Sequence, residues 1–100
     1  MTSESALVRK IIASVKAQFP RAYCIKLADR FRRGLPDILI VCRAAINDPH
    51  VLFVEAKIAT GRVTKIQAVE HEAIERAGGR VIVAKSVDDV LYALKIASAE

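Results

Sequence analysis

The stretch that most constrains what this chain can fold into covers residues 34–57. Gly34-Leu35-Pro36 reads as a turn that delivers Asp37 at the mouth of an apolar run, 38–42. Asn47-Asp48-Pro49 supplies a second turn, and a further apolar run, 51–54, ends in Glu55-Ala56-Lys57. This order predicts two strands joined as a hairpin, and antiparallel pairing brings the start of the first strand beside the end of the second. Asp37 then neighbours Glu55 and Lys57. Side chains alternate along a strand, so Glu55 and Lys57 share one face and Ala56 points to the other.

That placement has chemical consequences. Two carboxylates converging at the end of an apolar strand pair are costly unless something neutralises them. A hard divalent cation does so, and Mg²⁺ typically takes one or two protein carboxylates together with water and phosphate oxygens. The Lys57 ammonium, close by, can position a water or stabilise charge growing on a phosphate. Glu55-Ala56-Lys57 by itself also reads as an ordinary ion pair at a strand end. Pro36-Asp37, one hairpin upstream, is what favours a site.

Pro-Asp, a spacer, then Glu-x-Lys resembles the signature of the PD-(D/E)xK nuclease superfamily. More narrowly, Gly34-Leu35-Pro36-Asp37, Glu55-Ala56-Lys57 and Gly61-Arg62-Val63-Thr64-Lys65-Ile66-Gln67 resemble the VRR-NUC (virus-type replication-repair nuclease) family. The likeness covers nearly the whole chain. It implies Asp37 and Glu55 as ligands of Mg²⁺ or Mn²⁺, with the Ala56 carbonyl as an extra ligand. It implies a glutamate from the first helix, matched in position by Glu4, that contributes directly or through water. Lys57 would orient the attacking water or stabilise developing charge, with Gln67 assisting.

The remaining segments agree with this frame. Residues 3–19 carry a helical apolar stripe of Leu7 or Val8, Ile11, Ile12, Val15 and Phe19, with Thr2 or Ser3 as cap and Pro20 as stop. Glu4 falls on the inward side, where a first-turn acid complements the helix dipole or points at the site. A strand is expected over 21–27. The loop Asp29-Arg30-Phe31-Arg32-Arg33 then concentrates arginines whose forked donors match phosphate oxygens. A second helix over 64–77 starts in a capping box, Thr64 to Gln67, and should bury Ile66, Val69 or Glu70, Ala73, Ile74 and Ala77. Gln67 therefore has a structural reason and a family-implied one, both open. Arg62 and Lys65 extend the basic surface beside that helix N-terminus.

Residues 80–85 read as a buried strand reached by a helical crossover, hence parallel to the strand that ends at Lys57. A last helix begins at Ser86 as cap, where Asp88 and Asp89 are capping and dipole residues rather than metal ligands. Val90, Leu91, Leu94 and Ala97 supply its packing face. His50 falls at the hairpin end away from Glu55, and His71 lies between Glu70 and Glu72, so neither is a site candidate. Cys24 and Cys42 have no companion ligand at zinc spacing and read as buried thiols of a reducing cytosol.

The expected architecture is α/β, order αβββαβα, with a mixed four-stranded sheet flanked by helices, in one nuclease domain over residues 1–100. A net charge of +5 and a pI near 9.6 suit an anionic partner. With five aromatic residues, binding is expected to rest on phosphate contacts and shape rather than base stacking. No membrane span or signal peptide is evident, which places the chain in the cytoplasm, that of a bacterial host if it is phage or prophage encoded.

Stand-alone VRR-NUC domains resemble archaeal junction resolvases that work as homodimers. The sequence therefore suggests a metal-dependent, structure-selective DNA endonuclease acting as a homodimer on four-way junctions. Its site set is Glu4, Asp37, Glu55, Ala56, Lys57 and Gln67, and its DNA contacts are Arg30, Arg32, Arg33, Arg62 and Lys65. A flap or nicking nuclease, or a DNA-binding assembly subunit with a vestigial site, stands as the alternative.

Overall fold

The computed structural model describes residues 3–29, 31–43 and 50–99, with side chains described as far as residue 95. Within these, the elements follow the expected order: α1 (Glu4–Gln18), β1 (Tyr23–Lys26), β2 (Ile38–Cys42), β3 (His50–Ala56), α2 (Lys65–Arg76), β4 (Val81–Ala84) and α3 (Val87–Ala99). The strands lie side by side as β1-β2-β3-β4. The first two pairings are antiparallel, and β4 joins β3 in parallel after the α2 crossover. The β2–β3 hairpin is therefore present, while its Asn47-Asp48-Pro49 turn lies outside the described residues.

Local chemistry accounts for the element ends. The Ser3 hydroxyl accepts from the Ala6 amide at 3.0 Å and caps α1, and the Phe19 amide closes the helix on the Val15 carbonyl just before Pro20. Ser86 caps α3 by accepting from the Asp89 amide at 3.3 Å, and the Asp89 carboxylate accepts from the Lys85 amide at 2.8 Å. Asp89 is thus a capping residue, as its sequence context implies.

Helices α1 and α3 pack together on one face of the sheet. Leu7, Val8, Ile11 and Val15 from α1 meet Val90, Leu91 and Leu94 from α3 over Ile38, Ile40, Leu52, Val54 and Ala56. Each fully buried aliphatic side chain of this kind contributes about 1.5–3 kcal/mol of transfer free energy. Cys42 is buried in this core and Cys24 is half-buried, both as free thiols; burial pushes both thiols up and away from reactivity. Among the described residues, no helix is long and apolar enough to cross a membrane.

The opposite face is covered unevenly. Helix α2 lies over the end of β3 that carries Glu55, and it is rotated away from the stripe expected of it. Ile66 and Val69 are 49% and 66% exposed, and Ala73 and Ala77 also face solvent. Glu70 and Ile74 of that stripe turn inward as expected, joined by Gln67 and His71. The physical reason is polar: Gln67 and His71 hydrogen-bond Glu55, and Glu70 pairs with Arg32. Away from α2 this face leaves Tyr23, Ile25, Val51 and Val83 exposed, and the strand register puts all four on the side of Glu55.

Candidate active site

The turn before β2 is built to hold Asp37. Gly34 adopts φ +85°, a conformation that favours glycine, and Pro36 is fully buried. Asp37 is then fixed by three hydrogen bonds. Its carbonyl accepts from the Leu27 amide at 2.8 Å, its amide donates to the Val54 carbonyl at 2.9 Å, and its Oδ2 accepts from the Ala56 amide at 2.7 Å. Continuing the Ile38–Val54 register by one residue sets Asp37 across from Glu55.

Glu55 is 1% exposed. Its Oε1 lies 3.1 Å from His71 Nε2, while its Oε2 accepts from Gln67 Nε2 at 3.4 Å and faces Lys57 Nζ at 4.0 Å. Burial first, and then the neighbouring Asp37 carboxylate, push the Glu55 carboxyl up to about 8; Lys57 opposes the rise and Glu4 adds to it. Lys57 is itself buried, and its ammonium lies 3.8 Å from Glu4 Oε1, so Glu4 reaches the group from the first turn of α1 by way of the lysine. Gly61 makes room for this approach: a Cβ there would stand 3.2 Å from Glu4 Oε1.

Gln67 caps α2 and also touches Glu55. Its Oε1 accepts from the Thr64 amide and its own amide donates to the Thr64 hydroxyl, which completes the capping box, while its Nε2 reaches Glu55. His71 is where sequence reasoning misplaced a residue. It is 8% exposed and turned onto Glu55 rather than lying among the acids that flank it in sequence. Burial lowers its pKa, so the imidazole favours its neutral form. The available signal was its spacing: His71 follows Gln67 by four residues, so a helix that aims one of them at Glu55 aims both. His50, paired with Cys42 at the far end of the hairpin, is remote from the acids as expected.

The donor set fits a hard divalent cation. Glu55 and Asp37 are adjacent carboxylates, and the rise in the Glu55 pKa marks negative charge that its protein partners leave undercompensated. Among the described residues no group of three or more His, Cys, Asp or Glu side chains is placed to hold a metal ion. Two carboxylates completed by water and phosphate oxygens is the Mg²⁺ pattern.

The basic residues divide. Arg33, Arg62 and Lys65 are exposed. Arg32 donates from Nε and Nη2 to both Glu70 oxygens, at 2.9 and 3.1 Å, and so ties its loop to α2 instead of extending freely into solvent. Arg30 lies outside the described residues.

A mixed sheet in this strand order, with paired acids and a lysine gathered at the end of its central strands, is the build of a nuclease domain. The chain belongs to the VRR-NUC domain family, whose sequence model matches residues 1–88. It is also similar to a solved structure described as a VRR_NUC domain, with a TM-score of 0.73 and 23% identity, covering 94% of this chain and 97% of the other. That likeness concerns the fold. No curated protein gives a match. Membership of the family implies a nuclease, with DNA as its substrate class.

Proposed function

We propose that residues 1–100 form a single metal-dependent, structure-selective DNA endonuclease domain that resolves four-way junctions as a homodimer. The observation that carries this reading is the convergence of Asp37, Glu55 and Lys57, with Glu55 buried and its pKa raised to about 8. Asp37, Glu55 and the Ala56 carbonyl would hold Mg²⁺ or Mn²⁺, with Glu4 contributing directly or through water. The bound cation supplies Lewis-acid activation of the scissile phosphate and of the attacking water.

The chain's own groups do the rest. The Asp37–Ala56 hydrogen bond fixes one carboxylate, and His71 and Gln67 fix the other, so both acids keep their places before substrate arrives. Lys57 brings positive charge beside the two acids, where it orients the water or balances charge growing on the phosphate. Gln67 assists from the start of α2. Arg33, Arg62 and Lys65 receive the phosphate backbone.

The homodimer is supported by the apolar face left open beside α2. Tyr23, Ile25, Val51 and Val83 there are suited to a second copy, and a symmetric pair would set two sites on the two sides of a junction. A phage or prophage origin, and action in the cytoplasm of a bacterial host, accompany this reading.

The test is cleavage of an end-labelled four-way junction, with linear duplex and flap DNA alongside, in Mg²⁺ or Mn²⁺ and with an Asp37→Asn control. Paired symmetric cuts on the junction that vanish in the control are the expected result. Cuts confined to the flap would reassign the substrate to a flap or nicking nuclease. Binding without any cutting would make the chain a DNA-binding assembly subunit.

A further inference from the structure

Residues 31–34, between β1 and β2, are held in place from both the chain and α2. Asp29 Oδ1 accepts from the Phe31 amide at 2.8 Å, and the Asp29 carbonyl accepts from the Arg32 amide at 3.3 Å. The forked Arg32–Glu70 pair ties the turn to the middle of α2. Gly34 ties it again, so close to α2 that a Cβ would stand 2.6 Å from the Ile66 carbonyl oxygen. Between these anchors the Phe31 ring is 92% exposed. The backbone of Phe31 and of the residues that follow it is fixed by hydrogen bonds and contacts, yet nothing among the described residues covers the ring. An aromatic side chain normally supplies a large buried area, and this one is held out in water.

Its surroundings say what covers it. Arg33 is exposed and has no ion pair among the described residues, and Asp37 follows Gly34 by three positions. The ring therefore sits on the loop that leads into Asp37, two residues from an exposed arginine with no ion pair among the described residues, on a chain of net charge +5. Such surroundings attract a polyanion and disfavour the same loop of a second copy. A flat ring beside a cation matches an exposed nucleobase with its phosphate, and stacking on an aromatic side chain is tolerant of base identity.

We infer that Phe31 is a stacking residue that docks on a base left unpaired or unstacked at a DNA discontinuity, while Arg33 takes the adjoining phosphate. The inference rests on the nuclease reading and deepens it: the loop that carries Asp37 into place also senses the branch. It adds base stacking to the phosphate contacts and shape expected from the sequence.

The test uses Phe31→Ala, Phe31→Leu and Phe31→Trp in the full chain, with Ca²⁺ replacing Mg²⁺. The probes are a junction and a flap with a fluorescent purine analogue at the branch, and a duplex with the same analogue fully paired. Wild type and Phe31→Trp should alter the analogue's fluorescence on branched DNA, whereas the Leu and Ala variants should not. Affinity of Phe31→Ala for branched DNA should fall about 5- to 150-fold, as expected for losing one base–aromatic stack, with duplex affinity and salt dependence unchanged. An equal loss on duplex and branched DNA, or an unaltered fluorescence response in Phe31→Ala, would overturn the inference. A fall in sedimentation mass of the Ala variant would do so too, assigning the ring to a contact between copies. Cleavage in Mg²⁺ is scored separately on the wild type. A Phe31-dependent signal without cutting would sink the nuclease reading alone, and cutting without that signal would sink this inference alone.

Discussion

The His71 imidazole and the Glu55 carboxylate meet at 3.1 Å in the interior. The contact holds one carboxylate oxygen and leaves the other beside Gln67 and Lys57. Truncating His71 to Ala strands a buried acceptor, which costs about 1–3 kcal/mol of stability. It should also weaken divalent-cation binding in calorimetry, and His71→Asn should recover part of both effects.

Asp37 serves the backbone and the chemistry together, and two variants separate these roles. Asp37→Asn can still accept from the Ala56 amide and removes a like charge from Glu55. It should fold at least as well as wild type and cleave nothing. Asp37→Ala should also be inactive and should lose about 1–3 kcal/mol for the unpaired Ala56 amide, read from denaturant midpoints. Normal cleavage by either variant would remove Asp37 from the site.

Glu55 gives the metal-free protein a characteristic pH dependence. Its carboxyl has an ordinary value of 4.5 and a folded value of about 8, so between these limits the folded state binds the extra proton. Its stabilising contribution is whole below 4.5 and is lost as pH rises through about 8. His71, with its pKa lowered from 6.5, acts in the opposite sense, losing stability as pH falls. The Glu55 signature is therefore read between 6.5 and about 8. Thermal scans in EDTA should show a falling melting temperature across that window, Glu55→Gln should flatten it, and Mg²⁺ should reverse it by competing with the proton.

Arg32 and Arg33 are adjacent in sequence but should behave differently. Arg33→Ala should reduce the slope of log affinity against log salt by about 0.9, the signature of one lost phosphate contact. Arg32→Ala should instead resemble Glu70→Gln, because each breaks the same latch. Distinct salt slopes for that pair would return Arg32 to the DNA interface.

Gly34→Ala tests the turn that delivers Asp37. The substitution meets a positive φ and a contact 2.6 Å from the Ile66 carbonyl oxygen, so it should cost about 1–3 kcal/mol and lower the melting temperature.

The parts of this protein that sequence made legible are those set by local chemistry. The caps at Ser3, Thr64 and Ser86, the order of elements, the hairpin, the parallel return of β4, and the meeting of Asp37 with Glu55 all follow from periodicity, turn residues and strand pairing. What stayed hidden depends on partners far away in sequence. Helix periodicity marked Ile66, Val69 or Glu70, Ala73, Ile74 and Ala77 as the inward face, but a helix turns to satisfy its most demanding contacts. Here those are a buried carboxylate and an arginine fork, which drew Gln67, Glu70 and His71 inward. Arg32 looked like a free phosphate contact because Glu70 lies 38 positions away.

The Gln67 amide group closes the first turn of α2 and touches Glu55 through its two ends. One side chain therefore both caps the helix and supports the buried acid. A chain in which that turn has frayed loses a support of Glu55 at the same moment. Fraying at that helix end is thereby felt at the buried carboxylate.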